Sequence, residues 1–179
     1  LYHVDGTLVH TFEGHTGVVM AVAVTPDGQH IISGASDNLV KVWSVATKSL
    51  VSTCAGHTSP VVAVAAMPDG QRILSGSQDN TVRVWLLDGT PENAFRLHDH
   101  SVYALVALPD NQHALSASTD HDIKLFNVND GAVLRNFTHH TPAARCRHML
   151  PDGRWHGVHS LALLPDGLRF VSGSNEGTA

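Results

Sequence analysis

Residues 14–43 read Gly-His-Thr-Gly-Val-Val-Met-Ala-Val-Ala-Val-Thr-Pro-Asp-Gly-Gln-His-Ile-Ile-Ser-Gly-Ala-Ser-Asp-Asn-Leu-Val-Lys-Val-Trp. The same order returns as Gly56-His57, Pro68-Asp69-Gly70, Ser75-Gly76-Ser77-Gln78-Asp79 and Trp85. His15 to His57, Asp37 to Asp79 and Trp43 to Trp85 are each 42 residues apart. A period of roughly 40–45 residues, with Gly-His near its start and Trp near its end, marks a four-stranded propeller blade. Short apolar runs broken by Pro-Asp-Gly turns favour strands over helices. Strands are predicted near 18–24, 29–34, 39–44 and 49–54, and again near 60–66, 71–76, 81–86 and 92–96.

A third copy is more divergent. His98, Pro109-Asp110 and Asp120 keep the register, while Leu97 replaces the glycine and Phe126 the Trp. In the fourth copy the first-strand pattern, Val158 to Leu164, begins 14 residues late, and Leu-Pro-Asp-Gly occurs at both 150–153 and 164–167. Residues 141–157 therefore read as an insertion. Residues 1–13 align with the segment that follows Trp43, so they are expected to form the outermost strand of a preceding blade.

On these recurring residues the chain resembles the WD-repeat β-propeller family. The resemblance implies an all-β fold, a partial WD-repeat β-propeller with three complete four-stranded blades and partial blades at both ends. The divisions are 1–13, 14–55, 56–96, 97–138 and 139–179. Such an open arc fits a ring of about seven blades. Three accounts of it are compatible with the sequence. A longer chain supplies the rest of the ring, which the missing initiator Met favours; the arc closes by self-association; or neighbours in an assembly hold it.

The resemblance also assigns roles. His15, Ser33, Asp37 and Trp43 match a buried structural tetrad, as do His57, Ser75, Asp79 and Trp85. In the third blade the set is His98, Ser116 and Asp120 with Phe126, which has no N–H to donate. That blade and the fourth, with Ser172 and Glu176, are expected to be looser. Breaking such a buried network costs on the order of 1–3 kcal/mol per orphaned group. Ser, His and Asp also invite a hydrolase reading. The trio recurs at a fixed period with no Gly-x-Ser-x-Gly elbow, so the structural role is preferred.

In the family, one propeller face is the usual protein-binding surface. The matching positions here are Met20, Ser36, Val62, Gln78, Tyr103, Thr119, His159 and Asn175. The insertion should project from the same face with Arg145, Arg147, Arg154 and Trp155, residue types enriched at binding hot spots. The family's Trp-Asp dipeptide is missing, since Ser44, Leu86 and Asn127 follow the aromatic residues. No Trp-Asp-x-Arg run, the mark of many receptors for cullin-type ubiquitin ligases, is present.

Composition narrows the function classes. Of 179 residues, 42% are hydrophobic and 15% charged, a globular balance. The net charge of −5 argues against a general nucleic-acid binder. No apolar run approaches the length of a membrane span, and no signal peptide is visible. Two cysteines, Cys54 and Cys146, do not make a disulfide framework, so the cytoplasm is the expected location, with nuclear or cytoskeletal assemblies compatible. No cofactor or small-molecule substrate is expected. Cys146, His148, His156 and His159 form a permissible zinc set, but their spacing matches no zinc signature. His10, His30 and His113 read as solvated. The expected role is a non-catalytic scaffold for protein partners. The alternatives are a metal-binding or regulatory module on the insertion and a structural component of a ribonucleoprotein.

Overall fold

The computed structural model describes residues 1–138 and 157–174. Three four-stranded antiparallel sheets follow one another along the chain. The first is β1 (Val19–Val24), β2 (His30–Ala35), β3 (Leu39–Ser44) and β4 (Leu50–Ala55). The second is β5 (Val61–Ala66), β6 (Arg72–Ser77), β7 (Val82–Leu86) and β8 (Pro91–Phe95). The third is β9 (Val102–Ala107), β10 (His113–Ser118), β11 (Ile123–Asn127) and β12 (Val133–Phe137). A hairpin of β13 (Val158–Leu163) and β14 (Phe170–Ser174) continues the series, so the regular first strand does start late in the fourth unit. Among the described residues there is no helix.

Turn chemistry explains the repeated punctuation. Gly28, Gly70, Asn111 and Gly167 adopt φ of 70°, 66°, 60° and 68°, the left-handed region that Gly and Asn enter at least cost. The preceding carboxylates fix these turns. Asp27, Asp69, Asp110 and Asp166 each accept the backbone N–H two residues on, at 2.8–3.0 Å.

The blades pack face to face, with inner strands β1, β5, β9 and β13 as successive neighbours. Ile32, Val40 and Cys54 of the first blade meet Val61, Ile73 and Trp85 of the second. Leu74, Val82 and Val84 meet Val102, Leu105 and Phe126 of the third. Leu115 and Ala117 meet Val158 of the fourth. The glycine of the first two Ser-Gly pairs has a packing reason. A Cβ on Gly34 would lie 2.6 Å from Val61 Cγ1, and one on Gly76 would lie 2.8 Å from Val102 Cγ1. Glycine there lets the next inner strand seat its valine.

The inner strand β1 is open on one side: Val22 and Val24 are 69% and 58% exposed, because no described blade lies there. One expectation needs correction. Residues 1–13 were expected to form a strand and show only an isolated Tyr2–Leu8 bridge. An outermost strand needs a third strand beside it, and of that strand only Leu1 and Tyr2 are in the sequence. The segment still seats Phe12 against Trp43, ring centroids 5.6 Å apart, as Phe95 seats against Phe126 at 6.4 Å.

Candidate interaction face

Two kinds of loop meet on one rim of the arc, and a chain of hydrogen bonds ties them. Trp43 Nε1–H donates to Ser33 Oγ at 2.8 Å, and Trp85 Nε1–H to Ser75 Oγ at the same distance. Each serine hydroxyl donates to its histidine Nε2, Ser33 to His15 and Ser75 to His57, both at 2.8 Å. Nδ1–H of His15 and of His57 then donates to Asp37 and Asp79, again at 2.8 Å. The direction is set by the ends, since indole only donates and a carboxylate only accepts. In this relay the ring proton that meets the carboxylate is the one on Nδ1.

Burial holds the proton affinity of His57 below the ordinary value, against the pull of Asp79. Burial would raise Asp79, but hydrogen bonds from Thr81, the Thr58 N–H and His57 outweigh it and hold the carboxyl at about 2. The third blade keeps the same relay without an indole. Ser116 bonds His98 Nε2 at 2.8 Å, and His98 Nδ1 bonds Asp120 at 2.9 Å. It is no looser than the other two, because the serine oxygen loses one accepted bond while its own O–H stays committed to His98. Ser75 and Ser116 are fully buried, out of reach of any acyl group. In the fourth blade Ser172 is described, and Glu176 lies outside the described residues.

The carboxylates also pull the loops together. Asp37, Asp79 and Asp120 accept the backbone N–H of Thr16, Thr58 and Asp99 at 2.9–3.0 Å. The residues beside these anchors therefore share one face. Met20, Ser36 and Gln78 are exposed there. The Ser36 hydroxyl accepts the Val18 N–H at 2.8 Å. Gln78 Nε2 donates to the Tyr103 hydroxyl at 3.4 Å, and the Tyr103 ring stands edge-on to His159, centroids 4.8 Å apart. Gln78, Tyr103 and His159 thus make one ridge across three blades. Val62 and Thr119, assigned to this face from the sequence, are buried. A Cβ on Gly157 would lie 2.4 Å from Thr119 Cα, so the chain at Gly157 covers that site. Asn175, Arg145, Arg147, Arg154 and Trp155 lie outside the described residues.

Of the zinc set, Cys146, His148 and His156 also lie outside the described residues, and His159 sits against Tyr103. Among the described residues no three His, Cys, Asp or Glu side chains are grouped to hold a metal. His10, His30 and His113 are half-buried rather than solvated. His10 packs edge-on to Phe12 at 4.8 Å, His113 donates to Asp110 at 2.6 Å, and Nδ1 of His30 is buried with no partner.

Two features escaped the sequence reading. A cation recurs beside each tetrad at Lys41, Arg83 and Lys124, paired across the sheet with Ser33, Ser75 and Ser116. Lys41 Nζ bonds Thr53 at 3.1 Å, Arg83 lies over the Trp85 ring at 5.7 Å, and Lys124 Nζ bonds the Leu97 carbonyl at 2.6 Å. A basic residue two places before each aromatic was the available signal. On the opposite rim, Arg72 bonds Asp69 at 2.8 Å, the Asn111 carbonyl at 2.7 Å and Asn129 at 3.0 Å, clamping the second blade to the third.

Comparison with known proteins agrees with this geometry. The family model described as WD domain, G-beta repeat matches residues 6–44, 48–85 and 89–127. A ribosome biogenesis protein BOP1 homolog of Drosophila grimshawi is 47% identical over 36 residues, 20% of this chain and 5% of that protein. Eukaryotic translation initiation factor 3 subunit I of Xenopus tropicalis is 41% identical over 46 residues, 26% of this chain and 14% of that protein. The matched segment thus spans only a small part of either relative.

Proposed function

The chain belongs to the WD-repeat family, and on that footing we propose that it is a non-catalytic scaffold whose tetrad-bearing rim receives protein partners within a larger complex. The observation that carries this reading is the ridge of Gln78, Tyr103 and His159, held by three blades and open to solvent at Gln78. Recognition surfaces of this kind gain affinity because their loops are already ordered. Tyr103 is the anchor, a large amphipathic ring of the type enriched among binding hot spots. The names of the two relatives, a ribosome biogenesis protein and an initiation factor subunit, fit a life in assemblies. A reducing compartment suits Cys54, whose thiol is pushed up to about 12 by burial, with Asp88 adding to it.

The test is site-specific photocrosslinking in cell extract. A benzophenone side chain at Gln78 should capture discrete protein bands, and one at Gln29 on the opposite rim should not. Equal capture at both positions, or capture at Gln29 alone, would remove the reading. The relatives' names favour a second reading, a structural place in a ribonucleoprotein. In that case crosslinks at Gln78 would disappear after ribonuclease treatment.

A further inference from the structure

The second blade differs from its neighbours in how its cation is partnered. In the first blade Lys41 is 7% exposed and gives its ammonium to Thr53 Oγ1 at 3.1 Å. In the third blade Lys124 bonds the Leu97 carbonyl at 2.6 Å and has a carboxylate of its own, Asp122, at 3.9 Å. Neither compensation exists for Arg83. Ala94 stands opposite it where Thr53 stands opposite Lys41, and Thr81 takes the place of Asp122. Arg83 is half-buried, and its Nε is buried with no partner.

A second guanidinium lies on the same face. Val82 and Val84 pack into the core shared with the third blade, so Arg83 between them faces the other way. Phe95 and Leu97 pack against that same core, so Arg96 between them also faces away from it. Arg83 pairs with Ala94 across β7 and β8, and Arg96 lies two residues beyond Ala94. The two arginines are therefore diagonal neighbours, a relationship of about 7–8 Å that long side chains bridge. Arg96 is exposed. Among the described residues neither arginine makes a hydrogen bond or an ion pair. Asp79, the tetrad carboxylate of this blade, is already held by Thr81, Thr58 and His57. Arg83 lies over the Trp85 ring at 5.7 Å and against Gly56, where a Cβ would come within 2.7 Å of its Nη1. Indole and bare backbone thus fix the guanidinium, and the buried Nε leaves its terminal nitrogens for a ligand. In a chain of net charge −5, the pair makes a local positive site on the tetrad-bearing rim.

We propose that Arg83 and Arg96 bind two carboxylates of an acidic segment of the protein partner, two residues apart in an extended chain. This rests on the reading of the rim as an interaction face and adds the partner's chemistry to it. Side chains at i and i+2 of an extended strand share one side, roughly 6.6 Å apart, which suits arginines in diagonal register. Each carboxylate meets the end of one guanidinium in a charge-assisted pair.

The experiment is fluorescence anisotropy of a labelled peptide, Glu-Thr-Glu in an uncharged Ser/Thr frame, titrated with the purified chain. Binding is expected to weaken as salt rises. Arg83→Gln combined with Arg96→Gln should weaken it at least tenfold. Arg96→Gln alone should weaken it at least threefold, and that side chain is exposed and bonded to nothing, so the blade stays folded. Arg83→Lys, which keeps the charge and the stem over Trp85, should cost less than Arg83→Gln. A peptide with adjacent glutamates, which point to opposite sides of an extended chain, should bind more weakly. No binding, binding indifferent to the double variant, or equal binding of the adjacent-glutamate peptide would overturn the proposal. So would inorganic phosphate displacing the peptide better than glutarate does, which would make the pair a phosphate site. Benzophenone capture at Gln78 separates this from the reading beneath it. Capture at full strength by the double variant would overturn the acidic partner and leave the face standing, whereas no capture by the native chain would remove the face itself.

Discussion

The Tyr103 ring meets His159 edge-on at 4.8 Å, across the seam between the third and fourth blades. The same tyrosine takes the amide of Gln78 across the seam between the second and third. Edge-to-face pairs contribute about 0.5–1.5 kcal/mol beyond the area they bury. Tyr103→Ala should therefore lower the melting temperature only slightly while reducing capture of partners at Gln78 at least tenfold. Tyr103→Phe, which keeps the ring and loses the hydroxyl, should retain most of that capture. Quantitative crosslinking beside a thermal melt separates the two effects.

The tetrads predict an asymmetry between blades. Ser75→Ala orphans both the Trp85 indole and His57 Nε2, at about 1–3 kcal/mol each. Ser116→Ala orphans only His98 Nε2, because Phe126 donates nothing. Urea unfolding should show Ser75→Ala as the more destabilising change. Equal costs would mean that the indole bond adds nothing.

Acid should weaken the fold in two stages. His57 is held neutral below its usual value of 6.5, so the unfolded chain takes up that proton first. Its contribution is complete above about pH 6.5 and is lost as pH falls beneath it. Asp79 and Asp69 stand at about 2 against an ordinary 3.8, so theirs is present above 3.8 and fades toward pH 2. Melting temperature against pH should be level above neutrality, decline from about pH 6.5, and fall again below 4. A gain in stability on going from pH 7 to 5.5 would contradict the neutral assignment of His57.

Arg72 holds three partners in two blades, with its side chain 16% exposed. Arg72→Ala should cost about 1.5–3 kcal/mol, the range for hydrogen bonds to charged groups. Arg72→Lys should recover part of this, since an ammonium lacks the planar fork that spans Asp69 and Asn129. Amide exchange would place the loss at the seam between β6 and β9.

The period made the strands and tetrads legible, because each blade repeats a local pattern of turn, apolar run and capping carboxylate. Blade three was misjudged. Counting donors pointed to a loose relay, yet Phe126 fills the same buried site and leaves the Ser116 to Asp120 bonds intact. The Gln78–Tyr103 contact was hidden for another reason. Both residues were assigned to the face, but their meeting depends on the rotation between blades, which linear spacing does not encode. Thr119 was lost to the face beneath the chain at Gly157, and Val62 is buried as well. The Arg72 clamp was obscured because Asn111 stands where the other turns have glycine.

A ligand lying along Gln78, Tyr103 and His159 rests on three independent sheets, so its footprint works as a gauge of two angular settings at once. A small torsion of either sheet against its neighbour shifts one support relative to the next, with every contacting side chain unchanged. Substitutions buried deep between sheets, far from any ligand atom, should then detune recognition as surely as changes to the ridge itself.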